Sequence, residues 1–248
     1  MAAHPDSPDA PVRLARRTVP GPPGTRAAPV VLLHGGGGDG STWDPLVGPL
    51  ARRADVVVPD LRGAGRSPAV GAASVTALRD DVLRLLDDLA LNRVVLVGHS
   101  LGALLGLLVA VHDPGRVAAL VLEECPPLEP LGLPVPDASD DASFYERRIR
   151  PAVLAALNAP ERAWVDGLAG VRAPALVVGG GPESFLPQDA MARMAARLPD
   201  ARFVTLPGGH LVHPTHPDAF LGGGGGVFYL SPGRTVWGGW RVGPHEGP

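Results

Sequence analysis

The stretch Val94-Val95-Leu96-Val97-Gly98-His99-Ser100-Leu101-Gly102-Ala103-Leu104-Leu105 decides the fold. An apolar run, residues 94–97, passes through Gly98-His99-Ser100-Leu101-Gly102 into a second apolar run, residues 103–111. That order predicts a buried strand, a very tight turn and a buried helix, with Ser100 at the apex. Reversing a strand into a helix within so few residues forces the apex into a strained backbone conformation. Glycine is required on both sides, because a side chain there would collide with the neighbouring strand or helix. The strain lifts the serine hydroxyl clear of the sheet, and the helix start leaves amide N–H groups free to face an anion. In a chain of 248 residues with 33 glycines, the pentapeptide alone also fits a glycine-rich turn with an incidental serine. The surrounding sequence has to separate the two.

A length of 248 residues suits one sizeable domain, or one domain with an insertion, and an apolar fraction of 45% is enough for its core. The net charge of -3 offers no electrostatic case for nucleic acid or for an anionic membrane surface. The apolar runs are too short or too interrupted to span a bilayer. Residues 1–11 are rich in Pro and Asp, lack the apolar segment of a secretory signal, and are expected to be disordered. The single cysteine, Cys125, excludes an internal disulfide and a cysteine-rich metal site. A soluble, cytoplasmic protein is the expectation. All 22 basic residues are arginine and Ile149 is the only isoleucine, which reads as the nucleotide bias of a GC-rich source.

Outward from the central unit, apolar strands alternate with helices. Residues 12–19 are expected to form an edge strand, and 29–33 and 56–59 strands buried on both faces. Helices are expected over 41–53, capped by Ser41 or Thr42, and over 74–91, where Leu78, Val82, Leu85, Leu86 and Leu89 recur at helical spacing. A strand over 117–122 closes on Glu123-Glu124. Over 125–172 the alternation stops: prolines come first, then helices around 145–157 and Trp164. This reads as a small helical cap inserted over one end of the sheet. Strand, helix and strand return at 174–178, 187–198 and 202–206, and Gly208-Gly209-His210 follows. The fold class is therefore α/β: a mostly parallel sheet with helices on both faces, spanning residues 12–221, with a cap over about 125–172.

In such a sheet ligands bind beyond the carboxyl ends of the strands. Five features fall there: the His34 loop, the Asp60 loop, Ser100, the loop 179–187, and His210. Taken together, His34-Gly35 with its glycine loop, Asp60-x-Arg62-Gly63-x-Gly65-x-Ser67, Gly98-His99-Ser100-Leu101-Gly102, Gly180-x-x-Glu183-x-x-x-Pro187 and Gly209-His210 followed by Pro217 resemble the α/β-hydrolase family. The resemblance runs from about residue 29 to 221. It implies Ser100 as nucleophile, His210 as its base, and an oxyanion hole from the N–H groups of Gly36 and Leu101, with no cofactor and no metal. Glu183 occupies the usual position of the acid that orients the histidine. Glu124 or Glu123, after the preceding strand, is the alternative, because some members place the acid there, and Asp189 is a weaker one.

Other polar residues have plainer readings. His34 orders its loop, and His99 packs. Asp60 and Arg62 brace their own turn, and His213 and His216 are solvated at the entry to a last helix. The expected activity is hydrolysis of a small, apolar ester, thioester or lactone through an acyl-enzyme. Cofactor-free perhydrolase or carbon–carbon hydrolase activity would use the same residues. A second class, a non-catalytic relative that binds a small molecule, is motivated by the C-terminus. There the last helix is cut short by the five glycines 222–226, and residues 222–248 read as a poorly ordered, Gly-rich tail. A hairpin pairing 227–230 with 235–240 is the alternative for that tail. Phe144, Tyr145 and Trp164 are expected to be cap core more than substrate contacts.

Overall fold

The protein is described by a computed structural model, covering residues 11–71, 73–222, 230–231 and 234–235. Its centre is a seven-stranded sheet of β1 (Arg16–Val19), β2 (Val30–Leu33), β3 (Val56–Pro59), β4 (Val94–His99), β5 (Val117–Glu123), β6 (Ala175–Gly179) and β7 (Ala201–Thr205). The strands lie in the order β1-β3-β2-β4-β5-β6-β7. Only β1 is antiparallel, against β3; every other pair is parallel. The five central strands are apolar and buried on both faces because helices cover both sides.

Alternate side chains point to opposite faces. Val31, Leu33, Val57, Leu96, Leu120 and Val177 pack beneath α2 (Val75–Asp88), α3 (Leu101–His112) and α6 (Gln188–Ala195). Val30, Leu32, Val58, Val97, Val121 and Val178 face α1 (Asp44–Ala51), Trp43 and the last helices, α7 (Val212–Thr215) and α8 (Pro217–Leu221). Residues 101–110 of α3 are all buried, so this helix is apolar all round rather than amphipathic, and it forms the middle of the larger core. Helix α2 has the opposite design: an apolar face inward, and Ser74 accepting a hydrogen bond from the Ala77 N–H at its start.

Between β5 and β6 lie α4 (Arg150–Asn158) and α5 (Arg162–Gly167), with one π-helical turn at Tyr145–Ile149 ahead of α4. Trp164 is buried in the larger core, and Phe144 rests over Gly63 in the Asp60 loop. Three expectations need local correction. The first helix is preceded by a 3-10 turn, Gly40–Trp43, and neither Ser41 nor Thr42 caps the helix: Asp39 caps the turn, its carboxylate accepting from the Ser41 N–H at 2.8 Å, and α1 starts after Trp43 without a side-chain cap. Arg62 does not merely brace its own turn: its buried guanidinium reaches Asp81 on α2, at 2.6 and 2.7 Å. His213 is not solvated but fully buried. His216, by contrast, is exposed, and α8 ends at Gly222 in the left-handed conformation, φ 86°.

Within the stretch read as a tail, Leu230–Ser231 pairs antiparallel with Arg234–Thr235. The rest of the expected tail and of its hairpin alternative, like residues 1–10, lies outside the described residues. Among the described residues, no helix is long and apolar enough to cross a membrane.

Candidate active site

The turn between β4 and α3 has the strain that its sequence predicts. Ser100 sits at φ 50°, ψ -114°, a region that non-glycine residues rarely enter. The glycines beside it are there for space. A Cβ on Gly98 would lie 2.4 Å from the Ala103 nitrogen, and one on Gly102 would lie 2.1 Å from the Leu33 carbonyl oxygen. Both obstacles are backbone, so neither can move aside. The result is a half-buried hydroxyl raised at the carboxyl edge of the sheet.

His210 reaches that hydroxyl from the loop after β7, its Nε2 3.0 Å from Ser100 Oγ. Its Nδ1 is 3.0 Å from Oε2 of Glu124. A carboxylate can only accept, so Nδ1 carries the proton, and Nε2 is left with a lone pair turned to the serine hydroxyl. The structure thus places Glu124, not Glu183, on the histidine. Glu183 is exposed at the end of a 3-10 turn, and Asp189 is also exposed and paired with Arg193 at 2.6 Å.

The physical reason lies in how β5 ends. Glu123 is the last strand residue, and the chain then turns through Glu124 at φ 48°, another non-glycine residue in the left-handed region. That turn aims the Glu124 side chain across β6 into the loop where Glu183 had been expected to act. The loop forms a cradle around the Glu124 carboxylate. Gly180 N–H donates to Oε1 at 2.6 Å, Gln188 Nε2 donates to the same oxygen at 3.2 Å, and the Ser184 hydroxyl donates to Oε2. Burial opposes the charge, but the hydrogen bonds from His210, Ser184, Gly180 and Gln188 outweigh it and hold the carboxyl below its ordinary range. Close backbone approach completes the arrangement: a Cβ on Gly180 would overlap the Gly209 carbonyl oxygen at 1.6 Å.

Glu123, still on the strand, leaves in the other direction. Its carboxylate accepts from His213 Nδ1 at 2.7 Å and from the His213 backbone N–H at 2.9 Å. The His213 ring stacks on Trp43, with centroids 3.8 Å apart. Two Glu–His pairs therefore tie the same loop to the same strand end. The first faces the serine, and the second anchors α7 below it. In the sequence Glu123 stands only as an alternative acid, and nothing there marks its partner, which lies 90 residues away.

His99 lies between the two pairs. Its Nε2–H donates to the His210 carbonyl oxygen at 2.6 Å, fixing the loop from beneath. Burial pushes this imidazole down to about 4; His210 and His213 push the same way, against Glu123 and the His210 carbonyl. His34 is likewise held in one form: Nε2 accepts from the Leu61 N–H at 2.8 Å, so Nδ1–H donates to the Gly35 carbonyl at 2.7 Å. That bond joins the two loops flanking the site, and burial keeps His34 below its ordinary value.

Gly36 and Leu101 line a cleft of about 300 Å3, together with Tyr145 and Glu146 from the turn ahead of α4. Leu101 opens α3, where a backbone N–H has no partner within the helix. On the other side the exposed Phe185 ring stands 4.4 Å from the His210 ring. Among the described residues, no group of three or more His, Cys, Asp or Glu side chains gathers as a metal centre would.

The chain is similar to known proteins in sequence and in fold. A family model described as alpha/beta hydrolase fold matches residues 28–151. Over 243 residues the chain is 29% identical to a protein of Caulobacter sp. (strain K31) that bears the name carbamate hydrolase RutD, covering 82% of this chain and 91% of that protein. An esterase structure from Thermogutta terrifontis is 25% identical, with a TM-score of 0.67 over 83% of this chain and 89% of its own. A structure described as Est816, an N-acyl homoserine lactone degrading enzyme, is 26% identical, with a TM-score of 0.65 over 84% of this chain and 94% of its own.

Proposed function

Since this chain belongs to the α/β-hydrolase fold family, we propose that it is a serine hydrolase cleaving a small carboxylic ester, thioester or lactone through an acyl-enzyme on Ser100. One observation carries the reading: the unbroken line from Glu124 through His210 to Ser100, two contacts of 3.0 Å, ending at a serine held in a strained turn.

The chemistry follows from what each group can hold. His210 Nε2 takes the hydroxyl proton as Ser100 Oγ bonds to the substrate carbonyl carbon. The imidazolium so formed is stabilised by Glu124, which keeps its own negative charge. The carbonyl oxygen, now negative, is met by the N–H groups of Gly36 and Leu101. His210 returns the proton to the leaving oxygen or sulfur as its bond to carbon breaks. Water then repeats the sequence on the acyl-enzyme, giving the acid and restoring Ser100.

The esterase and lactone-degrading neighbours support an acyl transfer of this kind, and the relative named as a carbamate hydrolase adds the carbamate linkage to the substrates worth testing. The deciding experiment is a panel of aryl esters of increasing acyl length, with lactones, thioesters and carbamates beside them, run on the wild type and Ser100→Ala. Turnover that Ser100→Ala abolishes supports the proposal. Equal turnover by both, or none by either, contradicts it, and the second outcome favours a small-molecule binder.

A further inference from the structure

The cap residue Tyr145 does more than fill space. It opens the π-helical turn, a distortion that turns side chains out of the regular helical path and recurs at functional sites. Its ring lies over the glycine loop: a Cβ on Gly36 would sit 2.2 Å from the Tyr145 hydroxyl and 2.8 Å from the carbon bearing it. A Cβ on Gly37 would sit 3.4 Å from the ring edge. The lack of side chains in this loop is therefore what lets a phenol settle against the backbone. The hydroxyl makes no hydrogen bond among the described residues, and Tyr145, Gly36 and Leu101 line the same cleft. A phenol O–H can donate one hydrogen bond, and a half-buried one without a protein acceptor is suited to an acceptor on a bound molecule.

We propose that Tyr145 is a third hydrogen-bond donor to the substrate's acyl oxygen, brought by the cap to the loop that holds Gly36. This rests on the serine-hydrolase reading above. No proton is transferred: the phenol keeps its hydrogen throughout, and the bond strengthens as negative charge develops on the oxygen. Substrates that offer that oxygen without bulk over Gly36 are the ones the arrangement admits.

The test is Tyr145→Phe, which removes one oxygen and keeps the ring. On an aryl ester, kcat should fall roughly 100-fold with KM changed less than about threefold, the pattern of a lost oxyanion donor. A kcat within about twofold of wild type overturns the assignment. So does a rise in KM alone. Gly36→Ala gives a second reading, because its methyl group would drive the phenol off the loop. Adding Tyr145→Phe to Gly36→Ala should then cost little more, whereas independent, multiplying losses contradict the proposal. The two levels are separable. Wild-type turnover lost in Ser100→Ala but unaffected by Tyr145→Phe refutes only the role of Tyr145. Wild type that neither turns over nor reacts at Ser100 with a fluorophosphonate removes the reaction itself.

Discussion

Replacing Glu124 by Gln separates the two candidate acids with little change in shape. In the native site both carboxylate oxygens accept: Oε1 from Gly180 and Gln188, Oε2 from His210 and Ser184. A Gln side chain can keep an oxygen toward the Gly180 N–H only by turning its NH2 group toward His210. Nδ1 must then accept, the proton moves to Nε2, and the lone pair facing Ser100 is lost. Loss of the correct tautomer at such a triad costs about 10,000-fold in kcat, or roughly 5.5 kcal/mol of barrier. Glu183→Gln, by contrast, alters an exposed side chain and should leave kcat within about twofold. Steady-state kinetics of both variants on one aryl ester, with melting temperatures to confirm folding, reads the difference. A large loss in Glu183→Gln together with a small one in Glu124→Gln would refute the reasoning.

Two further outcomes follow from the same geometry. Gly102→Ala places a methyl carbon 2.1 Å from the Leu33 carbonyl oxygen, so urea denaturation should show a loss of at least about 3 kcal/mol, or no folded protein at all; a change under about 1 kcal/mol contradicts the packing described. His99 is held near 4 against an ordinary value of 6.5, so between these values the unfolded chain binds more protons than the folded one. Stability should therefore fall by up to about 3 kcal/mol as pH drops from 6.5 to 4. His99→Gln keeps a donor for the His210 carbonyl but does not titrate, and should lose that part of the slope; identical slopes in both proteins count against it. Glu124, depressed below its ordinary value, adds a loss of the same sign at lower pH still.

Much of this molecule was legible because its local physics is strong. Continuous apolar runs such as 94–97 have no alternative to burial on both faces, and Gly98 and Gly102 stand where backbone atoms allow nothing larger. The spacing of Leu78, Val82, Leu85 and Leu86 on α2 was equally direct, and all four are buried. What the sequence concealed was set by single backbone turns and distant partners. Whether Glu183 or Glu124 meets His210 depends on one residue at φ 48°, which composition and spacing do not encode. His213 looks like a polar residue at the start of a short helix; its burial depends on Glu123 and Trp43, far away in the chain. Arg62 is similar: its motif pointed to its own turn, while its carboxylate partner is Asp81 on α2.

The central claim concerns Ser100, and covalent labelling tests it most directly. The wild type, treated with an alkyl fluorophosphonate, is digested and mapped by mass spectrometry. One adduct is expected, on the peptide containing Ser100, with none in Ser100→Ala under the same conditions. Equal labelling of the two proteins, or an adduct on another residue that survives the substitution, would contradict the account.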